Sequence, residues 1–170
     1  MQPRERASSI FKQVGETFPE FAMHHGQGED GEPRLGIPAQ AALHFEVVLY
    51  LYADALHLCA DQFCGEWFPC SSWLVVEEYH DAVTGLLSGR YRIVQHSRRG
   101  KPLKAVLQRP SSPGWSTVYR HYQSLALPWL SADQRILQSS PSNEARDDSG
   151  PGLIRPPGCR PSRSGRWKAP

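Results

Sequence analysis

A change of hydrophobic period near the middle of the chain constrains the fold most. Two short runs, 91–96 and 103–108, alternate between apolar and polar positions, which is the period of a β-strand with one buried face. The expected inner face holds Tyr91, Ile93, Leu103, Ala105 and Leu107, and the outer face holds Arg92, Val94, His96, Lys104, Val106 and Gln108. Between the runs, Gly100 supplies the positive φ that a tight turn needs. The pattern predicts a β-hairpin over 91–108.

A helical period comes before this hairpin. Large side chains recur every three or four residues on one stripe, which comprises Trp73, Val76, His80, Val83 and Leu87. Ser72 precedes the stripe as a candidate N-cap, and Gly89 follows it where helices commonly end on a left-handed glycine. These signals predict a helix from 73 to 87.

Other segments carry weaker helical signals. The stretch 42–59 is apolar on nearly every side, so its length favours a buried helix, and its many β-forming residues make a strand the second interpretation. A helix capped by Ser9 is expected to end near Pro19. Short helices are expected after Ser116 and Ser131.

Together these elements predict an α+β fold, with two to three helices packed on a small antiparallel sheet that contains the 91–108 hairpin. A flexible, partly disordered N-terminal arm is expected over 1–37, because its stretch 24–38 is typical of a loop. One domain is expected over 38–138. The remainder, 139–170, is rich in Pro, Ser, Arg and Gly and has few large apolar residues, which predicts a disordered tail.

Charge is distributed unevenly along the sequence. Residues 1–81 hold 13 acidic and 4 basic side chains, whereas residues 82–132 hold 8 basic side chains and no acidic one. The whole chain has a formal net charge of only +2, so the overall composition hides this segregation. A long basic segment indicates a surface that meets an anionic partner, inside the same fold or outside it.

The first functional prediction is contact with DNA or RNA through the basic hairpin. Arg92 and Lys104 belong to its outer face, and Arg98, Arg99 and Lys101 to its turn. Cations on a β-ribbon neutralise phosphates, and such ribbons enter nucleic-acid grooves. Aromatic residues nearby offer stacking faces for bases: Tyr91, Trp115, Tyr119, Tyr122 and Trp129. The sequence therefore predicts a small accessory protein that binds nucleic acid.

A non-catalytic protein–protein adaptor is the alternative. In this interpretation the acidic and basic faces complement each other, within one molecule or between two copies. Such a protein would bind a protein partner or itself, and nucleic acid would be irrelevant to it.

A second alternative is a zinc protein or a cysteine-dependent enzyme. Thiolate and imidazole groups are the usual zinc ligands, and they occur near one another at His57, Cys59, Cys64, Cys70 and His80. Cys70 also lies just before the predicted helix, and a helix N-terminus lowers the pKa of a thiol. The base for such a nucleophile would be one of His80, His96 and His121.

Common catalytic and targeting motifs are missing from the sequence. It contains no dinucleotide-binding glycine motif, P-loop, nucleophile elbow or zinc-protease helix, which favours a protein without catalytic activity. The longest apolar run, 47–53, is too short to cross a membrane, and no signal-peptide pattern is present. We therefore expect no membrane contact and a cytoplasmic location, where cysteines are reduced thiols or metal ligands and do not form disulfides.

Overall fold

Two antiparallel sheets and two helices make up the part of the chain that the computed structural model describes, residues 2–28, 30–124 and 132–140. Their order is α1 (Pro3–Thr17), β1 (His24–Gln27), β2 (Pro33–Ile37), β3 (Val47–Tyr52), β4 (Ala55–Ala60), β5 (Phe63–Trp67), α2 (Trp73–Leu87), β6 (Arg92–Arg98), β7 (Lys101–Pro110), β8 (Trp115–Tyr122) and β9 (Asp133–Leu137). Strands predominate, so the predicted α+β arrangement of helices packed on one small sheet is wrong.

The first sheet is a meander with the strand order β1-β2-β3-β4-β5. Alternate residues of β3 are buried, namely Val47, Leu49 and Leu51. The stretch 42–59, which we expected to be a helix, therefore forms β3 and most of β4. Its β-branched and aromatic side chains suit a pleated surface, and β4 lies inside the sheet with apolar residues on both faces.

The N-terminal arm packs into the same core and is not a flexible extension. α1 begins at Pro3, well before the predicted cap at Ser9, and ends before Pro19 as predicted. It packs against β2 and β3 through its buried residues Ala7, Ile10, Phe11 and Val14. The stretch 24–38, which we expected to be a loop, supplies β1 and β2.

The helix α2 spans Trp73–Leu87, as the sequence predicted. Ser72 is its N-cap residue, although the side chain makes no capping hydrogen bond, and Gly89 adopts a φ of 73° after its end. Gly85 permits a close approach, because a Cβ atom there would lie 2.7 Å from the Tyr91 ring. This contact directs the chain from α2 into β6.

The second sheet has the strand order β8-β7-β6-β9 and contains the predicted hairpin as β6 and β7. Arg99 and Gly100 form its two-residue turn, with φ values of 51° and 74° that match the twist of the strands. The prediction of short helices after Ser116 and Ser131 is wrong, because these segments form β8 and β9.

One hydrophobic core joins the two sheets and the two helices. The sheets meet where β5 contacts β7 and β8. There the Tyr119 ring packs against Phe63 and Trp67, with centroids 6.0 and 5.0 Å apart. Neither helix of the described residues is both long and apolar enough to span a membrane.

Only the first residues of the predicted tail belong to the described chain. Ser139 is buried, and its hydroxyl donates a hydrogen bond to the Leu87 carbonyl at 2.9 Å. The backbone N–H of Ser140 donates to the Ala42 carbonyl at 3.0 Å. The rest of that predicted segment, 141–170, lies outside the described residues.

Candidate nucleic-acid interface

The outer face of the second sheet is the side turned away from the hydrophobic core. We call it the basic face, and strand register assigns to it Arg92, Val94, His96, Lys104, Val106, Gln108, Trp115, Arg120, Tyr122, Gln134 and Ile136. Each of these residues lies opposite, or packs against, another member on a neighbouring strand. The sequence-predicted Arg92 and Lys104 are therefore on one surface.

The middle of the basic face is apolar. Val94 and Val106 lie directly opposite each other, are 5% and 6% exposed, and do not belong to the hydrophobic core. Ile136, opposite Val94 on β9, is 53% exposed. Cationic and aromatic side chains surround this apolar centre.

Arg92 and Trp115 form a stacked pair on the basic face. The guanidinium carbon of Arg92 lies 3.9 Å from the centre of the indole ring, which is a cation–π contact. The Nε atom of Arg92 donates a hydrogen bond to Oε1 of Gln108 at 3.0 Å. These two contacts hold the guanidinium group over the indole ring.

The end of the β6–β7 hairpin concentrates positive charge. Arg98 lies directly opposite Lys101, and Arg99 occupies the turn between them. Like charges at opposed positions repel each other. Within the described residues, the ion pairs are Lys12–Glu16, Arg90–Asp81 and Arg135–Asp61, and none of them includes a hairpin cation.

The described strands place no carboxylate on the basic face. Asp133 of β9 lies opposite Ser97. Its side chain is on the other side of the sheet, together with those of Arg135 and Leu137. On that side Arg135 pairs with Asp61 at 3.0 Å. The acidic half of the sequence therefore does not neutralise Arg92, Lys104 or Arg120 through the ion pairs of the described residues.

His96 lies between these cations on the basic face. Burial lowers its pKa below the ordinary value of 6.5, and the neighbouring charge of Lys104 lowers it further. The ring is therefore neutral at neutral pH. A phosphate placed beside it would favour the protonated form and raise the pKa.

The predicted stacking residues divide between the core and the basic face. Tyr91 is only 3% exposed and Tyr119 is partly buried against the core, whereas Trp115 and Tyr122 lie on the basic face. Trp129 lies outside the described residues.

Sequence reasoning did not include Arg120 in the site, because it assigned β8 to a helix. The run Thr117-Val118-Tyr119, which is rich in β-forming residues, is the signal that indicates a strand there.

The predicted zinc ligands are not brought together as one set. Cys59 and Cys64 lie directly opposite each other on β4 and β5 and are joined by a disulfide, so the expectation of reduced thiols is wrong for this pair. His57 lies nearby, with its ring stacked on another side chain, while Cys70 and His80 lie elsewhere in the fold. Residues 2–28, 30–124 and 132–140 contain no group of three or more His, Cys, Asp or Glu side chains that could hold a metal ion.

Cys70 is not an activated nucleophile. Its thiol is buried and donates a hydrogen bond to Oδ1 of Asp54 at 2.9 Å. Burial, together with the hydrogen bond and charge of Asp54, raises the pKa of Cys70 to about 12. The thiol therefore remains protonated at neutral pH, although it precedes α2.

Comparison with protein-family models, with curated proteins and with solved structures finds no match for this chain.

Proposed function

We propose that this protein is a small accessory protein that binds nucleic acid through the basic face and the end of the β6–β7 hairpin, without catalysis. The observation that supports this function best is the unbalanced charge of Arg92, Lys104 and Arg120 on described strands that carry no carboxylate on that face. Phosphates bound there would relieve the repulsion among the cations and release counterions.

Fluorescence anisotropy of the full chain with labelled DNA and RNA tests the proposal. The full chain is needed because α1 contributes Ile10, Phe11 and Val14 to the core. We expect micromolar binding at about 50 mM salt that weakens steeply at about 200 mM, because each phosphate contact releases a counterion. An affinity that does not change with salt would contradict the proposed phosphate contacts.

The variant Arg98→Glu/Lys101→Glu tests the hairpin directly. Arg98 and Lys101 already lie opposite each other as like charges, and two glutamates would repel each other in the same way. The exchange therefore reverses the charge that the hairpin presents to a ligand without adding a new repulsion between the two strands. Binding should fall about 100-fold at low salt.

The matched control Arg4→Glu/Lys12→Glu changes the net charge equally on α1, where both positions are exposed. Circular dichroism should give the same folded spectrum for both variants. An equal loss of affinity in both would mean that net charge, and not the hairpin, governs binding.

Self-association as a protein–protein adaptor is the second candidate. Phe68, Trp73 and Leu74 are 64%, 68% and 69% exposed around the start of α2, close in sequence to the exposed Glu77 and Glu78. This apolar and acidic surface suits the basic hairpin of a second copy. Light scattering should then detect a dimer that Arg98→Glu/Lys101→Glu dissociates, and a monomer at all concentrations would exclude this candidate.

A further inference from the structure

The β6–β7 hairpin is not a free ribbon. β8 covers one edge from Lys104 to Pro110, and β9 covers the other edge from Ile93 to Ser97. Four strands spaced about 4.8 Å apart span roughly 14 Å between their outer backbones, before side chains are counted. The major groove of a DNA duplex is about 12 Å wide, so it cannot admit this sheet. Only the end of the hairpin can therefore enter the major groove of a duplex.

An exposed aromatic ring lies beside a cation at one side of the basic face. Tyr122 is 63% exposed and lies directly opposite Lys104. A base stacked on this ring would bring its phosphate near the Lys104 ammonium group. Such pairing of an aromatic platform with a backbone-binding cation is how single-stranded nucleic acids are held.

The Arg92–Trp115 pair offers a second stacking position. Its guanidinium plane is held by the indole ring below and by the hydrogen bond to Gln108. Unpaired bases stack on arginine planes as well as on aromatic rings. Trp115 lies opposite Pro110 and Tyr122 opposite Lys104, so the two positions are separated by roughly 20 Å of β-strand.

We propose that the bound polymer is a single strand that lies across the basic face, with bases stacked on Tyr122 and on the Arg92–Trp115 pair. Its phosphates lie beside Lys104 and Arg120, and its course continues towards the hairpin end. This inference rests on the proposed function and specifies its ligand as unpaired DNA or RNA. Stacking is tolerant of sequence, so we expect little preference among bases.

The test compares the affinities of the full chain for a labelled single strand of about 12 nucleotides, as DNA and as RNA, and for the same DNA sequence as a duplex. We expect single strands to bind about 10-fold more tightly than the duplex. The DNA and RNA arms identify which sugar the face prefers.

Tyr122→Ala should weaken single-strand binding about 10-fold, the effect of losing one stacked base. The salt dependence should be unchanged, because the tyrosine contacts no phosphate. Tyr52→Ala is the matched control, since Tyr52 is 62% exposed and belongs to the first sheet. Arg92→Lys keeps the charge and removes the plane, so it should also weaken single-strand binding with an unchanged salt slope.

The outcomes separate this inference from the proposed function. A duplex bound as tightly as the single strand, or equal effects of Tyr122→Ala and Tyr52→Ala, would overturn stacking and leave nucleic-acid binding intact. Failure of the unaltered protein to bind any of the three polymers at low salt would overturn both.

Discussion

One cross-strand row from each sheet illustrates how differently the two outer faces are built. The row in the first sheet, from β2 to β5, is Arg34, Tyr50, His57 and Glu66. The row in the second sheet, from β8 to β9, is Tyr122, Lys104, His96 and Gln134. Both rows contain a tyrosine, a histidine and a cation, but only the first also contains a carboxylate.

The first row contains both a cation and an anion. The Tyr50 and His57 rings stack with centroids 4.5 Å apart, and Glu66 lies directly opposite His57. The formal charges of Arg34 and Glu66 therefore balance across four strands. In the second row, the position opposite the histidine holds the neutral Gln134 and not a glutamate, so the row lacks an anion. The same strand alternation thus builds either a row with balanced charge or a row with unbalanced positive charge.

The largest expected effect is a difference in the stability that is lost when a valine on each of the two outer faces is shortened to alanine. Val106→Ala removes a side chain that is 6% exposed, and the lost burial and the cavity should lower the free energy of unfolding by about 2 kcal/mol. Val48→Ala, at a half-buried position of the first sheet, should cost less than about 1 kcal/mol. Urea denaturation of both variants measures the difference. Equal losses would mean that the centre of the basic face is not packed more tightly.

Introducing a carboxylate into the second row should give it the same balance of charges as the first row. Gln134→Glu places an anion opposite His96, as Glu66 lies opposite His57. The new charge should raise the pKa of His96 and weaken single-strand binding about 10-fold at low salt, because it competes with phosphate. NMR titration of His96 and anisotropy measure the two effects. Gln13→Glu on the exposed side of α1 is the control with the same charge change.

The smallest expected effect is a difference between His96 and His57 in how they make folding stability and nucleic-acid affinity depend on pH. Burial lowers the pKa of both rings; Glu66 opposes this shift at His57, and Lys104 adds to it at His96. Both therefore favour the folded state above pH 6.5, the ordinary value, and that stability is lost as pH falls through the lowered pKa.

Phosphate reverses the sense of this dependence for binding at His96. Because a phosphate bound there would raise the pKa of His96, binding would take up a proton, and affinity should rise about 3-fold between about pH 7.5 and 5.5. His96→Gln should abolish the rise, and His57→Gln should keep it. Anisotropy across this range measures the response, and its persistence in His96→Gln would assign it to another group.

Two of the elements that could be predicted from sequence have a glycine at their turn or at their end. Gly100 marked the β6–β7 hairpin and Gly89 the end of α2, and both assignments are confirmed. The turns around Ala53 and Asp61 also use positive φ, at 53° and 50°, but without glycine. Because these turns lacked their usual residue, the apolar stretch around them resembled one buried helix.

The candidate site could be predicted only in part for a related reason. The cations of β6 and β7 follow from alternation within one hairpin, which is local information. Arg120 and Gln134 join the basic face through pairing with distant strands, and Tyr119 turns into the core at an irregularity in the β7–β8 ladder. Such register depends on tertiary packing, which a single sequence does not reveal.

The position of β9 also determines when the fold can be completed during synthesis. The partner of β6 at one edge, β7, follows it directly in the chain, whereas the partner at its other edge, β9, is made after β7 and β8. Until Leu137 has left the ribosome, Ile93 and Val94 lie on a strand with an unpaired edge. A chain interrupted before Asp133 would keep that edge of β6 unpaired, so the last strand of the described residues to be translated is the one that covers the apolar residues Ile93 and Val94 at this edge.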